Sequence, residues 1–236
     1  MAVIPVKIGT IEYLQAENIA APHCFTTRLG GVSTGIFDSL NLSVSQGDDP
    51  ANVVENYRRI GAILGFAPED VINARQIHSD TVVRVNATHR GTLMNKELAP
   101  VCDALITNEP GLALFVSTAD CTPILLHDPV TGAVGAAHAG WRGTVGHIVE
   151  KTIEVMKSQY GSEGKDMVAC IGPSISLESF EVGDEVYAAF EEAGFDMSCI
   201  ARKYAKWHLD LWEANRIQLL AHGILPEHIE VAGICT

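Results

Sequence analysis

Short apolar runs, each bounded by Gly, Pro or Asp, fill the middle of this chain and limit what it can fold into. Runs of this length with such boundaries are typical of β-strands. They predict strands at residues 71–74, 81–85, 104–107, 113–117, 124–127, 133–137, 168–171 and 229–232. Apolar residues at helical spacing predict helices at residues 51–65, 145–156, 182–193 and 210–223. Because strands and helices do not alternate strictly, the pattern favours an α+β layered fold over a doubly wound parallel sheet.

The last predicted helix and one loop carry clear boundary signals. Asp210 is the predicted N-cap of that helix, and Gly223 lies just past its end. Residues 86–100 combine polar, Gly and Pro residues with weak periodicity, so the sequence predicts a long surface loop there.

Composition and charge limit the possible partners. Of the 236 residues, 47% are hydrophobic and 19% are charged, which is the balance of a globular protein. The net charge of −13 disfavours DNA, RNA and anionic membranes as general partners. The sequence shows no signal peptide and no membrane span, and its six cysteines form no CxxC pair. It therefore predicts a cytoplasmic protein with reduced thiols.

Most of the candidate catalytic and metal-binding residues lie in one segment, 117-STADCTPILLHDPVTGAVGAAHAGWRG-143. Cys121 precedes one predicted strand and His138 follows the end of the next. A hairpin turning at residues 128–132 would bring the two side chains close together. His78, at a turn between two earlier strands, is the candidate third ligand. One Cys and two His suit zinc and leave its fourth position open for water or substrate, as in catalytic sites.

Spacing alone leaves other interpretations of these three residues open. Cys121 is equally consistent with an ordinary buried thiol, His138 with a core histidine, and His78 with a polar turn residue. Cys121 paired with a histidine is also the arrangement of cysteine hydrolases and transferases.

Three charged residues are candidates for substrate contacts. Arg28 opens a Gly-rich stretch whose backbone N–H groups could hold a phosphate, although tight turns explain the glycines as well. Arg142 follows His138 by four residues, and its alternative role is a surface ion pair. Asp120, next to Cys121, could orient a ligand or act as a general base, or it could cap a turn.

Motifs spread along most of the chain resemble the multicopper polyphenol oxidase, or laccase-domain, family, also described as the YfiH-type purine nucleoside phosphorylases. These motifs are 26-TTRLGGVSTG-35, 39-SLNLS-43, 47-GDDPANVVENYRR-59, 75-RQIHSD-80, 103-DALITNEPGLAL-114, 117-STADCTPILLHDP-129, 132-GAVGAAHAGWRGT-144, 171-IGPSIS-176 and 210-DLWEANRIQLL-220. The most specific are TADCTPILL and AHAGWRGT at this separation.

The resemblance implies a metal centre and a fold. Family members hold one zinc through the His of QxH, the Cys of ADC and the His of AHAGWR, which are His78, Cys121 and His138 here. The implied fold has four layers, α/β/β/α, with mixed β-sheets, in a single YfiH-like domain over residues 1–236 of a monomer. Family members usually continue past Cys235 and Thr236 into an aromatic, Arg-containing tail, and the given sequence leaves open whether this protein has one.

The resemblance also implies activities and roles. The activities are phosphorolysis of adenosine, inosine and S-methyl-5'-thioadenosine, together with adenosine deamination, with a nucleoside and phosphate as small-molecule partners. The predicted catalytic residues are Cys121, His138 and Asp120. The predicted substrate-binding residues are Arg28 and Arg142 for phosphate, and Gln76 and Asn41 for ribose or base.

Three rival functions stay open. A copper-dependent polyphenol oxidase is the older description of the family, but multicopper oxidases need clusters of many His ligands. A Cys-dependent hydrolase or amidase that edits peptidoglycan precursors would use Cys121 with His138. A module that binds metal or a partner without catalysis is the third.

Overall fold

The computed structural model of the protein describes residues 3–93 and 95–236. Its strands are β1 (Val3–Ile8), β2 (Ile11–Ala16), β3 (Phe25–Thr26), β4 (Val71–Asn73), β5 (Val82–Arg84), β6 (Ala104–Thr107), β7 (Ala113–Phe115), β8 (Thr122–Asp128), β9 (Ala133–Ala139), β10 (Val168–Ile171), β11 (Glu181–Val182), β12 (Ala201–Lys203), β13 (Trp207–Leu209) and β14 (Ile229–Val231). Its α-helices are α1 (Pro50–Leu64), α2 (Trp141–Val145), α3 (Ile148–Tyr160), α4 (Asp184–Glu192), α5 (Met197–Ile200) and α6 (Leu211–Ala221).

A mixed six-stranded sheet forms the centre of the fold, with the strand order β14-β10-β8-β9-β6-β5. The pairs β10–β14 and β5–β6 are parallel, whereas the other neighbours are antiparallel. The hairpin strands β8 and β9 are buried along almost their whole length. Strands that are covered on both faces have continuous apolar sequences, which is why these two strands can be predicted from the sequence.

Helices α3 and α6 cover one face of this sheet. The apolar stripe of α3 packs on sheet residues in one buried cluster that includes Ile106, Ile124, Ile153, Met156 and Leu219. The period of that stripe, about 3.6 residues, is what predicted the helix.

A second β layer and α1 lie on the opposite face. Phe25 of β3 shares a buried cluster with Cys170 of β10, and Ile72 of β4 shares one with residues of β6. Outside this layer, Ile60 of α1 packs with Tyr13 of β2. The order of layers is therefore α/β/β/α, and the expected layered fold with mixed sheets is confirmed.

Several predicted boundaries are corrected by the structure. The helix predicted at 145–156 is two helices, α2 and α3, because His147 adopts a left-handed conformation with φ 61°. The helix predicted at 182–193 starts later, since Val182 pairs with Trp207 in a small sheet. The 86–100 segment is not wholly a surface loop, because Thr92 is fully buried.

Some elements gave no recognisable signal in the sequence. The sheet β1-β2-β3 and the sheet β11-β13-β12 were not predicted. Strand β1 is largely exposed, so it lacks the alternation of buried apolar and exposed polar residues that marks a strand. In the described part of the chain, no helix is long and apolar enough to cross a membrane.

Candidate metal centre

The hairpin of β8 and β9 brings Cys121 and His138 to the same end of the sheet. Their registry pairs Pro123 with His138 across the two strands, which sets Cys121 just beyond the paired residues. The turn predicted at residues 128–132 is present, with the Gly132 N–H donating to the Asp128 carbonyl at 2.9 Å. The predicted hairpin geometry is confirmed.

His78 reaches the same place from the loop between β4 and β5. Its backbone is left-handed, with φ 58°, a conformation uncommon for residues other than Gly. The conformation is held by Asp103, whose carboxylate accepts hydrogen bonds from the N–H groups of Ile77, His78 and Ser79 at 3.2, 3.1 and 2.7 Å. The sequence alone could not have shown this anchoring.

His78, Cys121 and His138 converge. Their candidate ligand atoms all lie within 4.8 Å of one another, and the two imidazole rings meet edge to face with centroids 4.9 Å apart. His138 is buried, Cys121 is half-buried and His78 is exposed. Among residues 3–93 and 95–236, this is the group of His, Cys, Asp and Glu side chains that could hold a metal ion. Its exposed side gives access for water or substrate.

Gly140 leaves room for this group. A Cβ atom at residue 140 would lie 2.9 Å from the Cys121 sulfur and 3.3 Å from Cδ2 of His78. Since real Cβ contacts are not that short, any larger residue would push into the ligand cluster.

Asp103 fixes the protonation of His138. The Nδ1 atom of His138 lies 2.9 Å from the Asp103 carboxylate, so Nδ1–H donates and Nε2 keeps its lone pair. Burial lowers the pKa of His138, although the hydrogen bond to Asp103 opposes that shift. Burial also raises the pKa of Asp103, but hydrogen bonds led by those from Ser79 outweigh it and leave the pKa low. A neutral imidazole beside a carboxylate is the usual state of a metal-binding histidine.

Cys121 is not an activated nucleophile without a metal. Burial raises the pKa of its thiol, and the nearby charges of Asp120 and Asp103 raise it further. A thiol in such surroundings stays protonated at neutral pH, whereas a coordinated metal removes the proton. The donor set, the free Nε2 of His138 and the space at Gly140 therefore fit a zinc ion.

The two predicted phosphate-binding arginines are both exposed. The guanidinium of Arg142 lies over the Trp141 ring, 4.2 Å from its centroid, at the start of α2. Arg28 contributes its backbone carbonyl to the loop by accepting from Ser39 and Leu40. Within the described residues, neither guanidinium has an ion pair, so each is available to an anion.

Gln76 and Asn41 already have protein partners. The amide of Gln76 donates to the Ser117 carbonyl at 2.8 Å and accepts from the Ser117 N–H at 2.7 Å. The amide of Asn41 donates to Asp48 at 2.9 Å and accepts from the Ser43 N–H at 3.0 Å. Both side chains stabilise loops, and their direct contact with substrate stays a prediction.

Asp120 is exposed and touches the end of the chain. Its Oδ1 accepts from the Thr236 hydroxyl at 3.0 Å, and its carbonyl accepts from the Ile175 N–H at 2.9 Å. Its catalytic role stays a prediction.

Sequence reasoning missed Asp103, the residue that joins the ligand segments. It stands directly before the predicted strand 104–107, where an acidic residue at the start of a buried run was the available signal. All six cysteines are free, which agrees with the absence of a disulfide scaffold.

The model of the family described as "Multi-copper polyphenol oxidoreductase laccase" matches residues 22–236. The chain belongs to this family. Within it, the purine nucleoside phosphorylase of Bacteroides thetaiotaomicron is 44% identical over 219 residues, covering 91% of this chain and 81% of that protein. Adenosine deaminase RL5, from an unknown prokaryotic organism, is 35% identical over 227 residues, covering 94% and 86%.

A solved structure of this laccase-like family has the same fold. The crystal structure of YlmD from Geobacillus stearothermophilus superimposes with a TM-score of 0.90 at 34% identity, covering 99% of this chain and 89% of that one. The resemblance read from the motifs is thereby confirmed. The names of the relatives also support an enzyme of this family.

Proposed function

We propose that the protein is a zinc-dependent purine nucleoside phosphorylase that acts on adenosine, inosine and S-methyl-5'-thioadenosine and also deaminates adenosine. The observation that carries the proposal is the convergence of His78, Cys121 and His138 within 4.8 Å of one another. Three protein ligands leave one position of a tetrahedral zinc open, which distinguishes catalytic from structural sites. The names of two relatives, a purine nucleoside phosphorylase and an adenosine deaminase, support the reaction class.

His78, Cys121 and His138 would hold the zinc, which would supply Lewis acidity and would activate a water at neutral pH. In phosphorolysis, the bond between ribose C1' and the purine nitrogen breaks while a phosphate oxygen bonds to C1', and the departing base takes a proton. We assign phosphate binding to Arg28 and Arg142, because their exposed guanidinium groups have no ion pair in the described residues. A guanidinium can donate two parallel hydrogen bonds to two oxygens of one phosphate.

Asp120 is the residue that we assign to proton transfer. Its carboxylate is exposed and adjacent to Cys121 in the sequence, so it can exchange a proton with a bound substrate. Gln76 and Asn41 would contact ribose or base while keeping the loops in place through their protein partners. We further propose that the protein works in the cytoplasm as a monomer.

The residues argue against the rival functions. Multicopper oxidation needs several clustered His sites, and the described residues offer one metal-binding group. A cysteine hydrolase needs an activated thiolate, whereas burial raises the pKa of Cys121.

The test is incubation of pure protein with adenosine and phosphate, with the products separated and the bound metal measured. We expect ribose 1-phosphate with adenine, some inosine, and about one zinc per chain. Cys121→Ala should lose both the metal and the activity. Cys199→Ala, which changes an exposed thiol hydrogen-bonded to Asp196, is the matched control and should keep both.

Each other outcome points to a different function. Absence of both ribose 1-phosphate and inosine removes the proposal. Oxygen uptake with phenols and a redox-active metal would establish a copper oxidase. Hydrolysis that survives strong chelation but needs Cys121 would establish a cysteine hydrolase, and zinc without turnover a binding module.

A further inference from the structure

One buried carboxylate joins two segments that are distant in sequence. Asp103, at the start of β6, is fully buried. One of its oxygens, Oδ1, accepts from the His78 N–H at 3.1 Å and faces Nδ1 of His138 at 2.9 Å. The other, Oδ2, accepts from the N–H groups of Ile77 and Ser79 and from the Ser79 hydroxyl.

The backbone of Asp103 makes the same connection. Its carbonyl accepts from the His138 N–H at 2.7 Å, and its N–H donates to the Thr81 carbonyl at 3.1 Å. The 77–81 loop and the end of β9 are therefore attached to a single residue through both main chain and side chain.

We propose that Asp103 is a positioning residue that holds two of the three metal ligands, His78 and His138, in place relative to each other. Its contact with Nδ1 of His138 leaves Nε2 free to bind the ion, and it holds the backbone of His78 in the left-handed conformation in which this side chain lies within 4.8 Å of the other two ligands. A buried carboxylate accepting several N–H and O–H donors can do both at once.

An amide in place of this carboxylate cannot do both. Every group facing the Asp103 oxygens is a donor, and the NH₂ group of asparagine is also a donor. The NH₂ end of the amide would then face other hydrogen-bond donors, and those donors would have lost their acceptor. Either the tautomer of His138 or the conformation of the 77–79 loop would then be released. The inference rests on the metal centre of the proposed function.

The experiment measures the zinc affinity of metal-free protein by competition with a chelator of known affinity. We expect Asp103→Asn to bind zinc about 10- to 100-fold more weakly than wild type, the usual effect of losing a group that orients a metal ligand. Ser79→Ala removes the hydroxyl contact to Oδ2 and leaves the His138 contact intact, so it should weaken zinc binding by a smaller factor.

Asp128→Asn is the matched control. Asp128 is also fully buried, and its carboxylate accepts from Val130 and Thr131 in the β8–β9 turn. It contacts no metal ligand among the described residues. We expect this variant to unfold at a lower temperature than wild type while its zinc affinity is unchanged.

The proposal is overturned if Asp103→Asn keeps wild-type zinc affinity, or if Asp128→Asn weakens zinc binding equally. If Asp103→Asn does not fold, the zinc affinity of Ser79→Ala is the test, and an unchanged affinity in that variant overturns the proposal. Wild-type protein that binds no zinc overturns both this inference and the proposed metal centre. Tight zinc binding that depends on Asp103, without nucleoside turnover, supports this inference and rejects only the proposed reaction.

Discussion

Gly140 leaves space for the candidate metal centre, because it has no side chain to contact Cys121 and His78. Its φ of −66° suits alanine as well as glycine, so Gly140→Ala should fold without backbone strain. The new methyl group would displace the thiol, and a displacement of about 1 Å can lower catalysis by about 100-fold. We expect kcat/KM for adenosine to fall by up to about that factor.

Measurement of zinc affinity and unfolding temperature would separate this effect from misfolding. The metal-free variant should unfold close to the wild-type temperature, whereas its zinc affinity should be weaker. Wild-type zinc affinity in Gly140→Ala would contradict the packing argument.

Arg142, the proposed phosphate ligand, has no ion pair among the described residues. Loss of a hydrogen bond to a charged group costs about 1.5–3 kcal/mol, so Arg142→Gln should raise the KM for phosphate by about tenfold or more. Steady-state kinetics with varied phosphate measures this. Arg84→Gln is the control, because Arg84 also lies over an aromatic ring, that of Tyr160, but on the edge strand β5. Equal effects of the two substitutions would refute the role of Arg142.

At the scale of elements, helix α6 begins at a cap that the sequence already showed. The Asp210 carboxylate accepts from the Glu213 N–H at 2.9 Å, which satisfies one of the free donors of the first turn. Asp210→Ala should lower the free energy of unfolding by about 1 kcal/mol. Asp210→Asn keeps an acceptor oxygen and should change it by much less. Denaturant titration measures both, and equal losses would show that the cap is not the cause.

At the scale of the whole molecule, buried His23 makes stability depend on pH. Its ring accepts from the Ala16 N–H at 2.9 Å and donates to the Ala21 carbonyl at 2.7 Å. Burial lowers the pKa of His23, with these backbone contacts opposing the shift. The unfolded chain, with a histidine pKa of about 6.5, therefore binds protons first as pH falls. Stability should be full above that pH and decline below it.

His23→Gln should make this decline shallower, by up to about 1.4 kcal/mol per pH unit. The check is the free energy of unfolding of metal-free protein between pH 7 and pH 5. His89→Gln, at a partly exposed surface turn, is the control. If both variants keep the wild-type slope, His23 is not the buried group responsible.

Much of the fold could be predicted because buried strands and amphipathic helices leave periodic patterns. Strands 104–107 and 168–171 match β6 and β10, and the cap at Asp210 follows from local hydrogen bonding alone. The helical spacing of Val145, Ile148 and Val149 continues across the break between α2 and α3, so periodicity alone does not show the break. It depends on His147, whose ring stacks on Phe195 from a distant segment.

The sequence by itself determined the hairpin, the layered class of the fold and, through its motifs, the identity of the three candidate ligands. The hairpin and the class of the fold follow from local periodicity and turn chemistry, whereas the three ligands follow from motifs that resemble a known family. Only the tertiary structure decided that Asp103 anchors both His78 and His138, and that Gly140 leaves space for Cys121. Hydrogen bonds and close contacts between segments that are distant in the sequence depend on where folding places each element, and no local pattern records that.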